Sequence, residues 1–134
     1  MPYHLKVNAE VGCVFIKWRG VITRESYIAY QRDVETSPAF RPGLNRFHDM
    51  RDVDANHTPE DIRRFAAYAA ETAARHGARK SATLAPTDLA FGMSRLAHGE
   101  LLDLNLDHRT FRDMDALMTW LGLPEKIGAP FVDL

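Results

Sequence analysis

One cysteine, Cys13, is all that a chain of 134 residues contains. That excludes an internal disulfide framework and any zinc or iron–sulfur site built from several thiolates. No apolar run approaches the roughly 20 residues of a membrane helix, and the N-terminus lacks a basic-then-apolar leader. The chain is therefore expected to be soluble and cytoplasmic, without membrane insertion. Charge of one sign is also missing. Lys and Arg total 17 against 18 Asp and Glu, a formal charge of −1, so no bulk field draws nucleic acid or an anionic membrane. There is no G-x-G-x-x-G, no P-loop and no G-x-S-x-G elbow, which removes the usual signatures of nucleotide binding and of serine hydrolases. No cofactor is expected.

Hydrophobic patterning supplies the positive information. Tyr3, Leu5 and Val7 alternate with His4, Lys6 and Asn8, and after a turn at Glu10-Val11-Gly12 a second alternation runs from Cys13 to Arg19. In it Val14, Ile16 and Trp18 share one face and Cys13, Phe15 and Lys17 the other, the pattern of an antiparallel hairpin. Thr23 is placed to cap a helix carrying Tyr27, Tyr30 and Val34, which Ser37-Pro38 stops. Leu44 to Met50 reads as a third strand and Arg51 to His57 as a polar connection. Thr58, Pro59, Glu60 and Asp61 form a helix start. Ile62, Phe65, Ala66, Ala69 and Ala73 make that helix's apolar stripe, with Gly77 at its end.

Ser81 to Ala85 is a short apolar strand. Pro86-Thr87-Asp88 opens another helix, striped by Leu89, Met93 and Leu96. Leu106 to Phe111 reads as a last strand and Asp115 to Leu121 as a last helix. Strands alternating with helices define one α/β domain over residues 1–122, with a mixed, mostly parallel sheet. Residues 123–134 read as a tail.

The densest polar cluster spans His48 to His57 and falls where a strand gives way to a helix, the usual ligand position in open α/β sheets. His48, Asp49 and His57 are weak metal candidates, the basis of a less favoured metal-dependent hydrolase reading, because their spacing matches no metal motif; a solvated loop whose aspartates make local turns to the backbone is the favoured account of the cluster. Acidic Asp52, Asp54, Glu60 and Asp61 oppose a nucleotide at the helix start that follows. Arg51, Asp52, Asp54, His57 and Thr58 mark this polar surface as the binding or interaction candidate, and no catalytic residue is assigned. Cys13, mid-strand, reads as packing. His4, His76 and His98 read as surface or capping residues. Tyr27, Tyr30, Phe65, Tyr68, Phe91 and Trp120 have the spacing of core residues and, alternatively, of an apolar pocket. Arg95 would anchor a ligand's acidic head group in such a pocket near Phe91 to Arg95.

Trp18-Arg-Gly-Val-Ile-Thr23, Ser37-Pro-Ala-Phe-Arg-Pro-Gly43, Asp49-Met-Arg51, Phe91-Gly-Met-Ser-Arg95 and Ala116-Leu-Met-Thr-Trp-Leu121 carry a further signal by their order and spacing. With them the chain resembles the SpoIIAA-like group of small bacterial proteins, relatives of STAS domains and of the CRAL-TRIO lipid-binding fold. The resemblance implies one antiparallel strand in a mixed sheet, helices mostly on one side, and frequent homodimers. It implies a regulatory, protein-interaction role rather than catalysis, with a small apolar ligand or lipid as the alternative. In the group's anti-sigma-factor antagonists a regulatory serine opens the helix after the third strand. Here the equivalent position is Pro59, so the phosphoswitch lacks its acceptor, and Thr58 beside it is the remaining hydroxyl.

Overall fold

The computed structural model describes residues 2–54, 57–85 and 104–124. Five strands form one sheet in the order β1-β2-β3-β4-β5, with β1 Tyr3–Asn8, β2 Cys13–Gly20, β3 Asn45–Val53, β4 Lys80–Leu84 and β5 Asp107–Phe111. Only the β1–β2 pair is antiparallel; β2 through β5 run parallel. The described helices are α1 Arg24–Thr36, α2 Pro59–Arg75 and α3 Met114–Leu121.

Alternation along β2 decides which side chains each layer buries. Val14, Ile16 and Trp18 join Tyr3, Tyr27, Tyr30, Val34 and Ala69 in one core, beneath α1 and α2. Cys13 and Phe15 point the other way, into a second core with Phe47, Ala82, Leu84 and α3's Leu117, Met118 and Leu121. Strand order advances steadily from β2 to β4, so right-handed crossovers put both intervening helices on one face. Helix α3 packs against β4 and β5 from the other side.

Local chemistry fixes the helix ends. Thr23 accepts the Ser26 N–H at 3.2 Å and Ser26 Oγ accepts the Thr23 N–H at 2.9 Å, a reciprocal cap on α1. Thr58 and Asp61 repeat the device on α2. Gly77, at φ +78°, turns the chain out of α2 with its α-carbon facing the Gly43 backbone 3.2 Å from where a β-carbon would stand.

Two boundaries differ from the sequence expectation. The segment 51–53 is strand rather than connection, because β2 continues past a bulge to offer Arg19 and Gly20 as partners to Asp52 and Val53. Leu123 belongs to the second core instead of a tail: its N–H bonds Met118 O at 3.0 Å and its side chain is buried. The helix expected after Pro86, with the pocket at Phe91 to Arg95 and Arg95 itself, lies outside the described residues, as do His98 and residues 125–134.

Candidate functional site

Parallel strands deliver their following loops to a common edge. At that edge the loop after β2 and the loop after β3 each lead into a capped helix, and the two helix starts diverge around a cleft of about 540 Å³. Its lining comes from four segments: Val21 and Ile22; Arg24 and Tyr27 of α1; His57; and Asp61, Arg64, Phe65 and Tyr68 of α2. The volume lies within the range of small-molecule sites. The floor is aromatic. Tyr27 and Phe65 lie 5.2 Å apart centre to centre, and Tyr68 meets Tyr27 edge-on at 5.7 Å. Tyr68 is fixed by donating to Gln31 Oε1 at 2.9 Å. Val21, 58% exposed, and the exposed Arg24 and Arg64 complete the lining on the solvent side. Arg64 shares its charge with Glu60 at 2.8 Å, an exposed i,i+4 pair worth a few tenths of a kcal/mol.

His57 holds the cleft together. Its Nε2 accepts the Ile22 N–H at 2.9 Å, so that nitrogen carries no proton. Its Nδ1 must then be the protonated one, donating to Asp54 O at 2.7 Å. The Asp54 N–H donates in turn to Gly20 O at 2.8 Å. The two loops are thereby tied at successive points, and the ring closes edge-on against Phe65 at 5.5 Å. Both ring nitrogens are committed to these two bonds.

His48 and His76, buried as well, each hold a structural hydrogen bond. His48 Nδ1 accepts from Trp18 Nε1 at 3.1 Å. Burial first, then the nearby charges of Arg46 and His108, lowers the His48 pKa to about 3. His76, at the end of α2, accepts from Arg46 Nη2 at 2.6 Å and donates to Glu35 at 2.9 Å. Burial again lowers its pKa, opposed by the Glu35 bond and helped by Arg46 and Arg75. The sequence reading of His76 as a surface or capping residue is half correct: it caps α2, yet is buried beneath Phe40, 5.1 Å between ring centres.

The sequence-derived cluster does not assemble as a metal site. Strand alternation sends His48 toward Trp18 and Tyr30, whereas Asp49 is on the opposite face, and His57 belongs to the cleft. Among the described residues no group of three His, Cys, Asp or Glu side chains is placed to hold a metal ion. Asp49 is fully buried and spent on Arg51, whose N–H, Nε and Nη2 all donate to it at 2.7–3.2 Å. Asp52 is exposed and pairs loosely with Lys17 at 3.6 Å. Thr58 is exposed, its hydroxyl accepting the Asp61 N–H at 3.1 Å. Burial pushes the Cys13 thiol up to about 12, which makes it inert packing. Of the polar residues expected to bind between Arg51 and Thr58, only His57 lines the cleft, and Tyr27, Phe65 and Tyr68 join it from the alternative apolar-pocket reading. Val21, Ile22, Arg24, Asp61 and Arg64 were missed as pocket residues, and their signal was positional: they flank the two strand-to-helix loops.

Compared with family models and with curated proteins, the chain matches none. Among solved structures it is similar to an uncharacterised protein of the DUF3478 family from Shewanella loihica PV-4, which has a SpoIIAA-like fold. The TM-score is 0.56 and the identity 15%, over 89% of this chain and 91% of that one. The fold is SpoIIAA-like: a mixed α/β sheet with one antiparallel pair, as the sequence resemblance implied. Two of the three described helices share one face. No helix among the described residues is long and apolar enough to cross a membrane.

Proposed function

We propose that this chain is a non-catalytic binding module whose site is the cleft between the starts of α1 and α2. Its ligand is a small amphipathic anion, apolar over most of its length and ending in one carboxylate or similar group. The observation that carries the reading is the lining itself, an aromatic floor with exposed arginines on the solvent side, set at the carboxyl edge of parallel strands. Two helix N-termini add their positive ends there. Asp61, Glu60 and Glu25 limit the negative charge the site tolerates, which favours a monoanion over a nucleotide. Commitment of both ring nitrogens of His57 and of His76 to structural hydrogen bonds supports a binding role over acid–base catalysis.

The test is displacement of the fluorescent aromatic sulfonate anilinonaphthalene sulfonate by decanoate, in the wild type and in Val21→Glu and Arg24→Glu. Both side chains are exposed, so the fold is retained. The reading expects each variant to weaken decanoate at least fivefold; equal affinity in all three proteins would overturn it.

A second reading, the protein-interaction module that the resemblance implies, is favoured by Val21 and Ile28. They are the two exposed large hydrophobic residues among those described, at 58% and 38%. Its occupant is a second copy of the chain. A dimer by light scattering that Val21→Glu converts to monomer would favour it, and a monomer at all concentrations would remove it.

A further inference from the structure

A buried polar field lies away from the cleft, on the α1–α2 side of the sheet. Arg46 and His48 of β3, Ser81 and Thr83 of β4, and His108 and Thr110 of β5 occupy matched register positions, two rows of three. With strands about 4.8 Å apart and alternate residues about 6.6 Å apart, the six side chains arise from a patch of about 10 by 7 Å. Arg46 and Ser81 are wholly buried and His48 is 1% exposed. An ordinary α/β interior would be aliphatic here.

The polar atoms of this field are incompletely paired. Arg46 Nε, His48 Nε2, Ser81 Oγ and Thr110 Oγ1 have no hydrogen-bond partner among the described residues, nor does the hydroxyl of Tyr30 from α1. Tyr30 stands edge-on to His48, ring centres 5.8 Å apart, and its hydroxyl lies near the Arg46 guanidinium without meeting it at bonding geometry. Chemistry gives these atoms a common polarity. Because His48 Nδ1 accepts from Trp18, neutral His48 carries its proton on Nε2 and can only donate there. Arg46 Nε can only donate, and the three hydroxyls can turn to do so. The guanidinium's other bonds go to Leu44 O at 2.7 Å and to neutral His76 at 2.6 Å. The carboxylate of Glu35 stands one imidazole ring further away. Asp49 is on the opposite face.

We propose that the field is an anion site, holding a small inorganic anion of halide size against Arg46 Nε, His48 Nε2 and the hydroxyls of Ser81 and Tyr30. A cation is opposed by the guanidinium and by two groups that only donate. An apolar ligand leaves the donors unmet. Water alone satisfies the hydroxyls but not the buried charge.

The experiment is crystallisation of the full chain from sodium bromide, with anomalous difference maps at the bromine edge. It is paired with melting curves in bromide against gluconate at constant ionic strength. A bromide peak within hydrogen-bond distance of Arg46 Nε and His48 Nε2 is expected, together with bromide-dependent stabilisation. Ser81→Ala, a small change that keeps the fold, should raise the apparent bromide dissociation constant about tenfold by removing one donor to a charged ligand. Bromide found only on the surface, water alone in the field, or a Ser81→Ala response identical to wild type would each overturn the proposal.

Discussion

Lowering the pH from 7.5 to 5 should destabilise this protein through His48 in particular. In the unfolded chain a histidine titrates near 6.5. In the native protein burial and the charges of Arg46 and His108 hold His48 down at about 3. Geometry says the same independently, since a proton on Nδ1 would abolish the bond that Trp18 Nε1 donates to it at 3.1 Å. A depressed native pKa means that the unfolded state binds the extra proton. Stability is thus full above about 6.5 and declines as pH falls toward 3. At pH 5 nearly all unfolded chains carry a proton at position 48 and the native chains do not, a loss of about 2 kcal/mol. His76, also depressed, acts in the same direction, so the total decline must be separated by mutation.

His48→Asn does this, because its side-chain oxygen can still accept from Trp18 while the group no longer titrates. Urea unfolding followed by tryptophan fluorescence at pH 7.5, 6.5, 5.5 and 5.0 should show the wild type losing about 2 kcal/mol more than the variant over that span. Equal slopes in the two proteins would refute the reasoning, as would a His48 ring proton that titrates near 6.5 by NMR.

Three further outcomes follow from the contacts. His57→Ala removes the acceptor of the Ile22 N–H and the tie to Asp54 O, costing about 2 kcal/mol in urea unfolding and speeding exchange of the Ile22 amide beyond the global effect. Thr58→Ala deletes the α2 cap and should cost about 1 kcal/mol, seen as a lower melting temperature with unchanged ligand affinity. Arg51→Ala strands the buried Asp49 carboxylate with a backbone N–H and should cost about 2 kcal/mol, recovered in part by pairing it with Asp49→Asn, as a double-mutant cycle would show.

The features legible in the sequence were those whose cause is local. Alternation at Tyr3–Asn8 and Cys13–Arg19 is a property of neighbouring residues, and it placed both strands and both faces of β2. Thr23, Thr58 and Pro59 announce helix starts through hydrogen bonds made within one turn. What the sequence concealed depends on partners about thirty residues away or more. Arg51 to Val53 looks like a polar loop until β2 is seen to extend beside it. His48 and Asp49, adjacent in sequence, part to opposite faces, and His48 then depends on Trp18, thirty positions earlier. The cleft draws on residues from Val21 to Tyr68, so no single window of sequence contains it. Buried Arg46 carries no local sign of its ties to His76 and, through it, to Glu35.

The most direct test of the central claim is an amide chemical-shift map of the ¹⁵N-labelled chain titrated with decanoate. Binding in the cleft predicts saturable shifts concentrated at Val21, Ile22, Arg24, Tyr27, His57, Arg64, Phe65 and Tyr68. Shifts scattered over the surface, or a saturable set elsewhere on the sheet, would contradict the assignment of this cleft as the binding site.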